Sequence, residues 1–494
     1  MGRIQAQALK NTVFSYIGLV LGYLNVVILF PAYFSVEEFG LIQLLAGMAI
    51  VYSQLSALGL TNAIVRFFPF FKTDDKKHGG FLFLVMLIAV AGFVIVTLIY
   101  VVLKPFISAQ FIENSALYVD YYYFLVPISL FQLLFTVFEG VTRAVHQTVF
   151  AVFLRDVLFR VLTTAGIFLV FFKVIDFYQF LVFYVLINGL VVILLLGQVI
   201  FTREYKLIVG SKLLNKLRAK EVIRYGLFTL LGGSSYFLAQ NIDKIMIGSM
   251  VGLRMVGIYS LFIYIATVIF FPARSLYRIT MPTITEAWKE NDVQLISALY
   301  KRTSLLLLII GSIVYVGIAI NKENILYFIN PEYREGFVFY YFLGLSFLID
   351  MTGGINSDII STSVKYRYDT LFNIIYAGLC ILLNFIFITL YGAIGAAIAT
   401  MLSVLIFNLL KWGFLFKEYK MQPFDSKNVI VVVLAGITLL IGLFLPALGN
   451  VYLDIVYRSG ICTAFYLGSL LLFKVSSDIN EKFDKYARKL KLIR

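Results

Sequence analysis

Residues 370–410, TLFNIIYAGLCILLNFIFITLYGAIGAAIATMLSVLIFNLL, form a run of 41 positions without a charged side chain. A helix needs about 20 apolar residues to cross the roughly 30 Å hydrocarbon core of a bilayer. The run is therefore twice as long as one crossing, and Tyr391-Gly392 near its middle supplies a break. It predicts two membrane helices joined by a tight turn. Working outward, comparable runs without Asp, Glu, Lys or Arg occupy 11–36, 39–65, 78–103, 121–138, 177–202, 225–242, 255–273, 303–321, 336–349, 428–453 and 459–473. A further span over 154–172, with Arg155, Asp156 and Arg160 at its start, brings the expected count to about 14 transmembrane helices.

Composition agrees. Hydrophobic residues make up 61% and charged residues 14% of the 494, against about 45–50% and 25% in soluble domains. So few charges could not cover a water-soluble surface of this size, and the chain reads as an all-α polytopic membrane protein. The first apolar run is longer than the 7–15 residues of a signal-peptide core and no small-residue cleavage site follows it, so it reads as a retained span. Cys380 and Cys462 lie in apolar runs and imply no disulfide framework. Two histidines and two cysteines leave little for a metal or haem site, and no cofactor is expected.

The formal charge of +14 acts as a topology signal. With an internal N-terminus and fourteen alternating helices, 34 of the 41 Lys and Arg fall on the inner side and seven on the other, as the positive-inside rule requires. Both termini are thus expected in the cytoplasm of a cell inner (cytoplasmic) membrane. The charge also favours anionic lipid headgroups, and this placement argues against nucleic acid. In the tail, Ile479, Phe483, Tyr486, Leu490 and Ile493 recur at helical spacing with basic residues between them, which predicts an amphipathic helix on the inner leaflet.

A basic linker at 203–224 separates similar halves. Phe39-Gly40-Leu41-Ile42-Gln43-Leu44 follows the first span, and Val256-Gly257-Ile258-Tyr259-Ser260-Leu261 follows the seventh. Downstream stand Arg66 with Pro69, and Arg278 with Pro282. Two sets of six helices repeated in the same sense suggest transporter architecture. The expected organisation is an N-terminal six-helix bundle at 1–202, the linker, a second bundle at 225–416, two added helices within 428–475, and a tail at 476–494.

Several stretches resemble one known family. Asp243-Lys244-Ile245-Met246-Ile247-Gly248 with Gly257-Ile258-Tyr259-Ser260 looks like the seventh and eighth helices of lipid-linked oligosaccharide flippases. These are the polysaccharide transporters (Wzx-like) of the multidrug/oligosaccharidyl-lipid/polysaccharide exporter superfamily. Glu38-Phe39-Gly40-Leu41, Gly59-Leu60 with Arg66, Pro282 with Asn291-Asp292 and Lys301-Arg302, and the segment Tyr391 to Thr400 fit the same pattern. The resemblance covers nearly the whole chain through individually short motifs. It implies two parallel six-helix bundles around a central cavity. It also implies movement of an undecaprenyl-pyrophosphate-linked oligosaccharide to the outer leaflet, in O-antigen, capsule or exopolysaccharide biosynthesis. A coupling proton or sodium ion, and polymerase and chain-length proteins of the same pathway, are the partners that this reading implies.

Charged groups inside spans cost about 2.5–3.5 kcal/mol each and usually face a cavity or a partner. The candidates are Asp243, Lys244 and Asp350, the last flanking the small, polar segment Thr352-Gly353-Gly354-Ile355-Asn356-Ser357 with Asp358 beyond it. Adjacent residues diverge by about 100° on a helix, so Asp243 and Lys244 are not an ideal mutual pair. Arg66, Arg143, Arg274 and Arg278 stand at expected cytoplasmic helix ends. Each satisfies the positive-inside rule, and together they could form a pyrophosphate-binding mouth, because guanidinium forks match phosphate oxygens. Glu139 and Arg143 are spaced for a helical ion pair.

Two other readings compete. An ion-coupled multidrug or peptidoglycan-precursor exporter of the same superfamily is one. The first span, however, lacks the acidic residue often found in ion-coupled drug exporters and offers only Asn25. An integral-membrane glycan polymerase or glycosyltransferase is the other. Such an enzyme needs acid/base or metal-binding groups on a sizeable external loop, and the loops at 104–120 and 322–335 are short. No phosphate-binding glycine loop of the P-loop type is present, so direct ATP hydrolysis is not expected, and the transporter reading with its short external loops makes an enzyme the less favoured expectation.

Overall fold

The computed structural model describes residues 2–71, 80–201, 226, 230, 232–476 and 480–481. Among these residues there are helices and no strands. Eleven helices are long and apolar enough to cross a membrane, and a bent pair, Pro331–Thr352 with Asn356–Thr362, makes a twelfth. The basic linker at 203–224 lies outside the described residues, as does most of the tail segment, and of the seventh expected span 226, 230 and 232–239 are described as helix before a turn at 240–241.

The 41-residue run divides as its sequence predicts. Helices Arg367–Tyr391 and Ala393–Tyr419 meet at Gly392, whose φ of 62° is left-handed and suits glycine. Gly395 tightens the same turn. A Cβ there would collide with the Phe387 carbonyl of the preceding helix, so its smallness lets the two helices approach closely beside the turn. The expected span 39–65 differs: helix Val36–Ser56 ends at Leu58 and Gly59, both at positive φ, and a second helix, Leu60–Phe71, follows.

The chain forms two compact units. Unit 1 comprises Met1–Leu261 with Asn373–Ala396, and unit 2 comprises Phe262–Phe372 with Ala397–Arg494. In unit 1 the first span, Leu9–Tyr33, widens into a π-helical turn at Leu24–Leu29 just before Pro31. Proline has no amide hydrogen for the carbonyl one turn back, and the turn adjusts. Ser35 starts the next helix with a capping box: its hydroxyl accepts from the Glu38 amide at 3.2 Å, and the Glu38 carboxylate accepts from the Ser35 amide at 2.9 Å. The charged fifth span is continuous helix over 149–171, with a π-helical turn at Phe153–Leu158. Its charges are all engaged. Asp156 accepts from Ser15 at 2.8 Å, Arg160 donates to the Gly18 carbonyl, and Arg155 reaches Glu139 at 3.3 Å. Gly18 sits against the Asp156 backbone, where a Cβ would not fit.

The two repeat glycines meet inside unit 1. A Cβ on Gly40 would strike the carbonyl of Leu253, four residues before Gly257; one on Gly257 would strike the carbonyl of Val36, four residues before Gly40. Each helix thus presents its own glycine to the same backbone position of its counterpart, a reciprocal crossing expected of repeated elements.

In unit 2, helix Val293–Ile320 is capped by the Asp292 carboxylate and packs on Phe337–Thr352, Ser426–Phe444 and Val451–Leu472. Leu308, Ile309, Val431, Leu434, Tyr466 and Leu470 form its buried contact. At one end Asp454 pairs with Arg458 at 2.7 Å and accepts from Asn324 at 2.6 Å, while Arg458 also donates to the carbonyls of Gly442 and Leu445. Nothing in that network is left unpaired, as a buried ion pair requires.

Candidate functional site

Two polar clusters are buried within apolar spans, one in each unit. In unit 1, Asp243 sits in the first turn of helix Ile242–Met250, which starts where the chain breaks at 240–241. Its carboxylate is 4% exposed. The Tyr259 hydroxyl donates to one oxygen at 2.6 Å and the Asn384 amide donates to the other at 2.9 Å. Lys244 turns elsewhere and donates to the Gln43 amide oxygen at 3.3 Å. It passes Gly47, where a Cβ would lie 3.7 Å from its Cδ. Adjacent residues therefore take separate partners, in line with their 100° divergence. The carboxylate accepts from a neutral donor on each oxygen, and such hydrogen bonds are stronger in a low-dielectric setting than in water.

In unit 2, the span holding Asp350 bends by 49° at the glycine pair, and Gly354 has a φ of 57°. The bend admits an amide chain. Asn356 donates to the Asn408 side-chain oxygen at 2.8 Å, and Asn408 donates to Asp350 at 3.1 Å. Gly353 makes room for it, since a Cβ there would collide with the Asn408 oxygen. One turn beyond Asn408 lies Lys411, only 2% exposed. Its ammonium donates to the Ser357 hydroxyl at 2.5 Å and lies 3.6 Å from the centre of the Phe407 ring. Asp369, Asp350 and Asp358 are its electrostatic neighbours. Lys411 is the one functional candidate that the sequence reading passed over. It closes the long apolar run and reads there as a flanking charge; the signal that could have found it is its position one helical turn after a polar Asn408 inside that run.

The arginines are placed differently. Arg143 pairs with Glu139 at 3.0 Å, and the same carboxylate also serves Arg155. The expected helical ion pair is present, and Arg143 is part of a shared structural pair. Arg66, exposed, stands 5.8 Å from the Phe67 ring centre. Arg274 and Arg278 are exposed on helix Phe271–Lys289, the former 5.4 Å from the Phe271 ring centre. Arg66 and Arg143 belong to unit 1, Arg274 and Arg278 to unit 2. Among the described residues no group of His, Cys, Asp and Glu could hold a metal ion.

This chemistry can be set beside known proteins. Residues 7–288 match the family model described as polysaccharide biosynthesis protein. The uncharacterized membrane protein MJ1068 of Methanocaldococcus jannaschii is 22% identical over 449 residues, covering 84% of each chain. Among solved structures, the lipid II flippase MurJ in an inward closed conformation matches with a TM-score of 0.73 at 14% identity, over 94% of this chain and 98% of that one. An inward-facing multidrug resistance transporter of the MATE family matches with a TM-score of 0.62 at 14% identity, over 84% and 98%. The fold is thus one that this chain shares with these two transporters. The family match spans more than half of the 494 residues, and this multi-pass membrane protein belongs to the polysaccharide biosynthesis protein family.

Proposed function

We propose that the protein is a flippase that carries an undecaprenyl-pyrophosphate-linked oligosaccharide from the inner to the outer leaflet of the cytoplasmic membrane, by alternating access. The observation that carries this reading is the family match over residues 7–288 on a chain built almost wholly of membrane-spanning helices. A polysaccharide pathway needs its hydrophilic sugars moved across hydrocarbon, and buried charges at Asp243 and Lys411 are what a solute path through apolar spans requires. Lys244, Asp350 and the arginines at 66, 143, 274 and 278 are the cargo-facing candidates, with the basic groups meeting the pyrophosphate. A proton or sodium ion drives the cycle in this reading. Both termini are cytoplasmic, and polymerase and chain-length proteins act on the delivered product.

The test is deletion of the gene followed by lipid analysis of the two leaflets. Lipid-linked oligosaccharide accumulating on the inner leaflet supports the proposal. Accumulation of a peptidoglycan precursor, or loss of drug resistance with glycans unchanged, replaces it with the competing exporter readings. Loss of chain elongation with flipping intact assigns a polymerase.

A further inference from the structure

Unit 2 contains a cavity of about 290 Å³ that the polar cluster borders and does not fill. Its walls are apolar: Leu308, Leu348, Ile349 and Leu405 lie inside, and Leu409 and Val432 line it too. The last two are 48% and 57% exposed on the outward sides of their spans, so the cavity adjoins surface that faces hydrocarbon. An empty apolar void forfeits dispersion contacts, and a bilayer supplies hydrocarbon chains to fill it.

The polar border selects among those chains. Asn356, Asn408 and Tyr300 all line the cavity. Both amide hydrogens of Asn408 are used, on Asp350 and on the Val404 carbonyl. Asn356 uses one of its two, on Asn408. The Tyr300 side chain is fully buried and its hydroxyl has no hydrogen-bond partner. A buried donor left unmade costs about 1–3 kcal/mol. The border thus has donors to spare, on Tyr300 and Asn356.

We propose that this cavity binds one acyl chain of a diacyl glycerophospholipid from the surrounding bilayer, its ester carbonyl accepting from Tyr300 and Asn356. A polyprenyl chain fits the border less well, since its hydrocarbon carries no oxygen to accept from those donors. The lipid is a bound component of unit 2, independent of whatever the protein carries.

The experiment uses the full-length protein in liposomes containing a phosphatidylethanolamine with a photoactivatable diazirine in one acyl chain, with adducts mapped by mass spectrometry. Adducts are expected within 345–356 and 405–412. Excess unlabelled diacyl lipid should chase them, and undecaprenyl phosphate should not. Leu409→Trp, at the exposed edge, should cut labelling about tenfold, and Tyr300→Phe, which removes the donor, about fivefold. Should Leu409→Trp not fold, Val432→Trp fills the cavity from the neighbouring helix. Labelling that Trp leaves unchanged, that falls outside these segments, or that undecaprenyl phosphate chases while diacyl lipid does not, overturns the proposal.

Discussion

Asp243 is held by two neutral donors, and each can be removed singly. Tyr259→Phe takes one hydroxyl from a carboxylate that is 4% exposed. Losing a buried hydrogen bond to that carboxylate should cost the variant roughly 1–3 kcal/mol of stability, read by thermal unfolding in detergent. Asn384→Leu should cost a similar amount through the other oxygen. Lys411 supports a sharper test. Lys411→Met leaves Asp350, Asp358 and Asp369 without their shared cation, and Asp350→Asn in the same chain should restore part of the loss. A coupling of about 0.5–3 kcal/mol in a double-mutant cycle is expected for residues in one network; simple additivity would show that Lys411 and Asp350 do not interact. Asp243 and Asp350 were legible in the sequence because an acid within an apolar run is costly wherever it lands. Lys411 was not, because a lysine at the end of such a run looks like every other interfacial cation until Phe407, Ser357 and the bent helix close around it. Arg143 was read both ways, and Glu139 supports its structural role.

Helix crossings show why small residues stand where they do. Gly40 and Gly257 each admit the other helix's backbone, so Gly40→Val or Gly257→Val forces the helices apart. A loss of about 1–3 kcal/mol is expected from the overpacking alone, with yield in membranes falling accordingly. Gly317, inside helix Val293–Ile320, has nothing within 4 Å of a Cβ. Gly317→Ala should therefore be neutral or stabilise by about 0.5–1 kcal/mol, through helix propensity. If both substitutions behaved alike in a thermal-unfolding comparison, the crossing would not be a close contact. The sequence pattern around these two glycines was faint, yet it located the pair that meets. What it could not show was the contact itself, since periodicity reports a face and not what covers it. The break near Gly59 was likewise hidden: Leu58-Gly59 sits in an apolar run without proline, and only the positive φ at both residues shows that the helix ends there.

The sidedness of the chain follows from its charges and can be measured without disturbing the fold. Of 41 Lys and Arg, 34 fall on one side of a fourteen-helix threading, and the insertion machinery retains such segments in the cytoplasm. The structure fixes where the helices end and contains no membrane, so orientation rests on this asymmetry. Cys380 and Cys462 are both buried and free, which gives a low background for thiol labelling. A cysteine at Lys173, exposed in the turn after helix Phe159–Phe171, should react with a membrane-impermeant maleimide in intact cells. One at Glu290, exposed after helix Phe271–Lys289, should react only once the cells are opened. These positions test opposite sides, and neither is in a buried contact, so both variants should insert normally. The reverse pattern would invert the chain and place Arg66, Arg274 and Arg278 on the outer face, where they could not receive a lipid-linked pyrophosphate made inside the cell. Labelling of both sites from outside would instead mean that an even number of crossings separates them, where the threading has three, and the count of fourteen would have to change before any direction of transport could be assigned.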